Sequence, residues 1–229
     1  MVDKITVVVG FDQRESILYH TFCQSVLEKT TSVVQFIPLV NNSLNFYTED
    51  HGDGSNDFIY TRFLVPYLCN FSGIAIYADS DMIFRSDISE LYRLFDKNKA
   101  VQVVKHDYET KMSIKYLGNE NVNYPKKNWS SLIIFNCQHR ANRILTPDFV
   151  RLKPGSYLHR FSWLGDDEIG DLPPVWNWLA IEYPENNLAK NIHYTLGAPC
   201  FIEFKETSMS AYWWDVYKRM HQGLANIFD

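Results

Sequence analysis

The apolar positions of the chain fall into alternating runs of two kinds. Ile5 to Val9 is an unbroken β-branched stretch, which predicts a strand buried on both faces. After a turn at Gly10, Leu18, Phe22 and Val26 recur every four residues and predict a helix from about Gln13 to Lys29. Val33 to Val40 reads as a second strand. The segment "TEDHGDGSND", residues 48 to 57, is a polar loop, and a helix is expected from about Asp57, with Pro66 either kinking it or starting a new turn. Ile74 to Ala78 is the third strand. Ser86 stands where it can cap a helix carrying Ile88, Leu91, Leu94 and Phe95. Ala100 to Val104 and Ser131 to Phe135 read as further strands, whereas Lys105 to Lys127 is polar and without period. Glu206 to Gly223, with Tyr212, Trp213, Trp214, Tyr217 and Met220, predicts an amphipathic helix packed on the rest.

Strands separated by helical segments of this length imply an α/β fold with a mostly parallel sheet flanked by helices, binding ligands at the carboxyl ends of its strands. No repeat or composition break marks a linker, so residues 1–229 read as one domain. A hydrophobic fraction of 46% fits a well-filled core. Fourteen Tyr and six Trp provide rings that serve equally as core or as platforms for a sugar, Trp129 among them.

Charge and cysteine usage narrow the function classes. A net charge of −5 argues against a nucleic-acid partner, which needs a clustered basic face. No apolar run approaches the roughly 20 residues of a membrane span, and "MVDKITVVVG" lacks the basic and small-residue regions of a signal peptide. Lys218, Arg219 and His221 are few cations for a membrane-surface helix. Cys23, Cys69, Cys137 and Cys200 are widely spaced with no C-x-x-C pair, as expected of isolated thiols in a reducing compartment. A soluble cytoplasmic location is the expectation.

The chemistry concentrates in "IAIYADSDMIF", residues 74 to 84. Asp79 and Asp81 flank Ser80 at the predicted end of a buried strand, and in extended chain they point the same way. Two like charges there destabilise the fold unless something positive lies beside them. They make half of a divalent cation site, whose remaining positions suit diphosphate oxygens and water. Two solvated carboxylates at a surface strand end are the competing reading.

The strand followed by "YADSDMIF" resembles the D-x-D signature of GT-A glycosyltransferases, most closely family 8, which contains glycogenin and bacterial lipopolysaccharide galactosyltransferases. The resemblance runs in order from about Ile5 to Phe204. "VVVGFD" is similar to the first strand that meets the nucleotide base, which nominates Gly10, Phe11 and Asp12. "YTRFLVPYL" resembles the helix ahead of the D-x-D and nominates Arg62 as a partner of the diphosphate or sugar. "KNWSSLIIFNC" resembles the strand beside the donor sugar, giving Asn128, Ser130 and Ser131; Ser80 joins them as a donor contact. "LGDDEIGDLP" stands where the family carries its Asp-Gln pair, making Asp166 and Asp167 the catalytic candidates, with Glu168 beside them. "NIHYTLGAPCF" resembles the H-x-x-G-x-x-K segment, so His193 would complete a metal site with Asp79 and Asp81, and Gly197 would offer backbone N–H groups. Gly197 lies four residues after His193 rather than three, and no Lys follows. The resemblance therefore leaves the phosphate-gripping cation to Arg62 or another basic residue. His106, His139 and His159 are expected to be structural.

What the resemblance implies is a metal-dependent transfer of a sugar from a nucleotide diphosphate donor, with uridine as its base, to a glycan or other acceptor hydroxyl. Two carboxylates and an imidazole favour Mn²⁺ over Mg²⁺. Inversion would need Asp166 or Asp167 as a general base; family 8 implies retention. Two alternatives share the fold: a binding module for nucleotide sugars that has lost turnover, and a sugar nucleotidyltransferase. The latter fits poorly, since "VVVGFDQRES" lacks a Gly-rich basic loop.

Overall fold

A computed structural model describes residues 4–52 and 56–221. The chain opens with β1 (Ile5–Phe11), α1 (Ser16–Leu27) and β2 (Val34–Val40), followed by α2 (Val65–Leu68), β3 (Ile74–Ala78), β4 (Met82–Phe84), α3 (Ile88–Tyr92), β5 (Val101–Val103) and β6 (Leu132–Asn136). Then come α4 (Pro147–Leu152), α5 (Gly155–His159), β7 (Ile169–Asp171), β8 (Trp178–Leu179), β9 (Asn191–His193) and α6 (Ser210–His221). Six strands form the main sheet in the order β2-β1-β3-β6-β5-β7. All run the same way except β6, which is antiparallel to both β3 and β5. The expected mostly parallel α/β sheet flanked by helices is the observed architecture.

Strand alternation sorts β1 between two cores. Val8 packs with Phe63, Tyr77, Ile133 and Phe135 on one face. Val7 and Val9 pack with Phe22, Ile76, Phe84 and Ile134 beneath α1 and α3 on the other. A second sheet, β4-β9-β8, crosses the end of the first, with Met82 registered against His193. Its outer side meets α6, where Trp213 and Val216 pack on Leu18, Ile83 and Ile192. Arg219 of α6 closes on Glu28 at 2.7 Å. Among the described residues no helix is long and apolar enough to cross a membrane.

Several local expectations change. The helix expected from Asp57 is instead a turn, then a 3-10 turn Thr61–Leu64, then the single turn of α2. Pro66 sits in the first turn of α2, where its missing N–H forfeits no bond. Asp87, not Ser86, caps α3: its carboxylate accepts from Ser89 N at 2.8 Å, and the helix ends before Leu94 and Phe95. The first helix starts at Ser16, because Asp12 caps a separate 3-10 turn, Gln13–Glu15. The aromatic helix begins at Ser210 rather than Glu206, and residues 222–223 of its expected span lie outside the described residues. The stretch from Lys105 to Lys127 contains one 3-10 turn, Tyr116–Gly118, and an isolated bridge between Ile114 and Glu120.

Candidate active site

Asp79 and Asp81 leave the carboxyl end of β3 and face one cavity of about 400 Å³, while Ser80 between them is buried and outside its wall. Two residues answer the charge on Asp79. Arg62 Nη1 lies 3.0 Å from its Oδ1, and the Tyr77 hydroxyl donates to the same oxygen at 2.6 Å. Burial pushes the Asp79 carboxyl above the ordinary range, with the Arg62 guanidinium pulling against it. Arg62 is itself buried, donating from Nη1 to Ser130 O at 3.0 Å and from Nε to Ile59 O at 3.1 Å. On the cavity wall it fixes Asp79 and the Ser130 backbone. Asp81 differs. Burial works to raise its carboxyl too, but His193 and Lys115 more than offset this and hold it below the usual range.

Asp81 Oδ1 is buried without a hydrogen bond and lies 3.3 Å from His193 Nε2. A chain of bonds decides what that nitrogen carries. Ser131 Oγ donates to Asn128 O at 2.7 Å, so its oxygen must accept from Asn177 Nδ2 at 2.8 Å. Asn177 Oδ1 therefore faces His193 Nδ1, at 3.0 Å, and accepts its N–H. In the neutral ring this leaves a lone pair on Nε2, pointed at a carboxylate oxygen. With the ring neutral, two acceptors face one another with no hydrogen between them, an arrangement that a cation resolves; with the ring protonated, Nε2–H pairs with Asp81 instead. Ligand atoms of Asp79, Asp81 and His193 lie within 4.8 Å of one another, and two carboxylates with an imidazole are a donor set that fits a divalent ion.

The structure brings Asn128, Ser130 and Ser131 to the same cavity. Asn128 has a left-handed backbone, φ 61°, and its amide nitrogen donates to Tyr108 Oη at 2.8 Å and Thr195 Oγ1 at 3.1 Å. Trp129 turns away, donating from Nε1 to His106 O at 2.8 Å. Other nominees lie elsewhere. A Cβ on Gly10 would overlap the Phe58 ring, so this glycine serves packing of the strand against Phe58. Phe11 packs edge-on against Tyr19. Both oxygens of buried Asp12 are taken by Arg14, at 2.5 to 3.2 Å, which removes it from base recognition. Gly197 N is bound to Tyr194 O at 2.9 Å, and Phe204 covers its Cα, so it offers no free N–H. Asp166 and Asp167 are exposed on a 3-10 turn outside the cavity wall, with Lys126 reaching Asp166 at 3.4 Å and Lys99 bound to Asp167 O. Glu168 accepts from Gly165 N and closes that turn.

Three cavity residues escaped the sequence reading. Lys115, from the irregular segment, lines the wall with Asp79 and Asp81. Burial lowers its ammonium pKa against the pull of both carboxylates, and among the described residues Nζ makes no hydrogen bond or ion pair. His159, expected to be structural, ends α5 on the cavity wall. Ser130 Oγ lies 2.7 Å from its Nδ1, and Nε2 is buried without a partner. Burial, with Arg62 and Lys115 adding to it, lowers its pKa to about 3 and keeps the ring neutral. Arg160 follows on the same wall, its Nε likewise buried and unbonded.

The fold is that of the GT-A glycosyltransferases. The bifunctional glycosyltransferase WbbM superposes with a TM-score of 0.65 at 16% identity, over 96% of this chain and 52% of that one. GlyE of Streptococcus pneumoniae gives 0.58 at 14%, over 93% and 60%, and the galactosyltransferase LgtC gives 0.57 at 10%, over 93% and 95%. The chain thus spans about half of WbbM and three-fifths of GlyE. No protein-family model matches. Protein CDI of Arabidopsis thaliana is 36% identical over 216 residues, covering 90% of this chain and 83% of that protein, and the chain belongs to its family.

Proposed function

We propose that the protein is a divalent-metal-dependent glycosyltransferase that moves a sugar from a nucleotide diphosphate, with uridine as the favoured base, to an acceptor hydroxyl. The observation that carries this reading is the convergence of Asp79, Asp81 and His193, with ligand atoms within 4.8 Å of one another, at the carboxyl end of β3 in a GT-A fold. Asp79, Asp81 and His193 would hold the ion, Mn²⁺ being the better match to an imidazole among carboxylates. When bound, such an ion supplies Lewis-acid stabilisation of the departing diphosphate.

The chain's own residues do the rest. Arg62 and Tyr77 orient Asp79 and oppose the burial that raises its carboxyl; Asn177 holds His193 in the tautomer that presents Nε2. Lys115, which among the described residues makes no ion pair with the carboxylates it faces, takes the place of the absent Lys after His193 and grips a phosphate. Among the described residues the wall carries no carboxylate other than Asp79 and Asp81. With Asp166 and Asp167 outside it, no described carboxylate of the wall beyond Asp79 and Asp81 stands ready as a general base opposite the donor. Retention follows as the favoured course, the acceptor proton passing to the leaving phosphate oxygen.

Incubation of a UDP-sugar with protein and Mn²⁺ tests turnover. Release of UDP, absent in Asp81→Asn, is expected. Tight UDP-sugar binding with no UDP released would convict the reading of a binding module instead.

A further inference from the structure

Among the described residues the cavity wall holds more positive than negative charge: Arg62, Lys115 and Arg160 line it against two carboxylates, Asp79 and Asp81. A divalent ion and a sugar nucleotide, with one negative charge on each phosphate, cancel one another. One cation of the wall then remains unmatched. Arg62 is tied to Asp79, and Lys115 is taken by the diphosphate in the proposed reaction. Arg160 is left over: among the described residues it makes no ion pair, and its Nε is buried with no acceptor. Leaving a guanidinium N–H desolvated and unbonded is costly, more so than for a neutral donor.

His159 stands in the same position. The bonding pattern that leaves fewest groups unmatched has Ser130 Oγ–H donating to Nδ1, which places the ring hydrogen on Nε2. That N–H is buried on the cavity wall with nothing to receive it. A cation and a neutral donor, consecutive in sequence and both unsatisfied, call for an acceptor rich in lone pairs and negatively charged.

Resting on the glycosyltransferase reading, we infer that Arg160 and His159 form a subsite for an anionic group beyond the diphosphate. That group is a carboxylate on the donor sugar, or a carboxylate or phosphate on the acceptor. In either case the protein selects acidic over neutral sugars at this site.

Calorimetric titration with Mn²⁺ present separates the sources. UDP-glucuronate is expected to bind at least about tenfold more tightly than UDP-glucose, the worth of a charge-assisted pair. Arg160→Gln should bring that ratio to about one, and Arg160→Lys should keep part of it. If the wild-type ratio is already one, glucuronate and glucose 6-phosphate are titrated into protein saturated with UDP and Mn²⁺. Saturable binding there, lost in Arg160→Gln and not shown by glucose, assigns the anion to the acceptor. The wild-type comparisons need no folded variant. UDP binding without preference for the acidic sugar in either arm overturns this inference alone; no UDP binding under any condition overturns it together with the glycosyltransferase reading.

Discussion

Arg62 Nη1 lies 3.0 Å from Asp79 Oδ1 and reaches, with the same nitrogen, the carbonyl of Ser130 at 3.0 Å. This one contact joins the segment before β3, the D-x-D turn and the entry to β6. It also supplies, from within the chain, half of the positive charge that the two carboxylates demand. Removing it leaves Asp79 buried and uncompensated. Arg62→Met should destabilise the fold by about 3 kcal/mol in a urea titration without metal, the usual cost of breaking a buried pair on one side. Unchanged stability would mean that Asp79 does not depend on Arg62.

Asn177 is fully buried outside the cavity wall, but its amide, oriented by Ser131, sets the His193 tautomer. Asn177→Ala should weaken Mn²⁺ binding by about 10- to 100-fold, the usual effect of losing a hydrogen-bond partner of a metal-ligating histidine. Mn²⁺ paramagnetic resonance reads this without any substrate.

Lys115 is assigned to phosphate rather than metal. Lys115→Met should lower UDP affinity about tenfold or more while Mn²⁺ alone still binds, since a charge-assisted bond is lost and no ligand is. Equal loss of both would place Lys115 in the structure of the metal site.

Two pH limbs follow from buried groups. Burial lowers His106 and His159 to about 3, from 6.5. Between those values the unfolded chain takes up protons that the folded one refuses, so the stability is present above about pH 6.5 and lost as pH falls towards 3. Glu15 works in the opposite sense. Burial, with Asp81 and Asp12 nearby, raises it to about 8. Its contribution is intact below the unfolded value near 4.5 and is lost as pH rises through 8. His106→Gln should flatten the acid limb of the melting temperature, and Glu15→Gln should raise the melting temperature above pH 8 relative to wild type.

Strand periodicity made β1, β2 and β3 legible: the apolar runs of β1 and β3 bury on both faces of the sheet, and β2, at its edge, keeps the same apolar spelling while burying only Leu39. The same runs located the D-x-D, since alternation alone directs Asp79 and Asp81 together. Residues whose roles depend on distant partners were not legible. Lys115 sits in a stretch with no period and meets Asp81 through tertiary packing, and Asn177, which bonds His193, is oriented by Ser131, 46 residues away. Asp12 misled for a local reason: Arg14, two residues on, claims its carboxylate, a pairing that the sequence displays. Asp166 and Asp167 lie away from the cavity because β7 follows them directly, and its pairing with β5 leaves their turn at the far, amino end of that strand pair.

The most direct measurement is a calorimetric titration of UDP into the purified protein with and without Mn²⁺, repeated with GDP and with Asp81→Asn. Metal-dependent binding of UDP, weaker for GDP and lost in Asp81→Asn, is the expected result. Binding of neither nucleotide in the presence of any divalent metal would contradict the reading of Asp79, Asp81 and His193 as a nucleotide-sugar metal site.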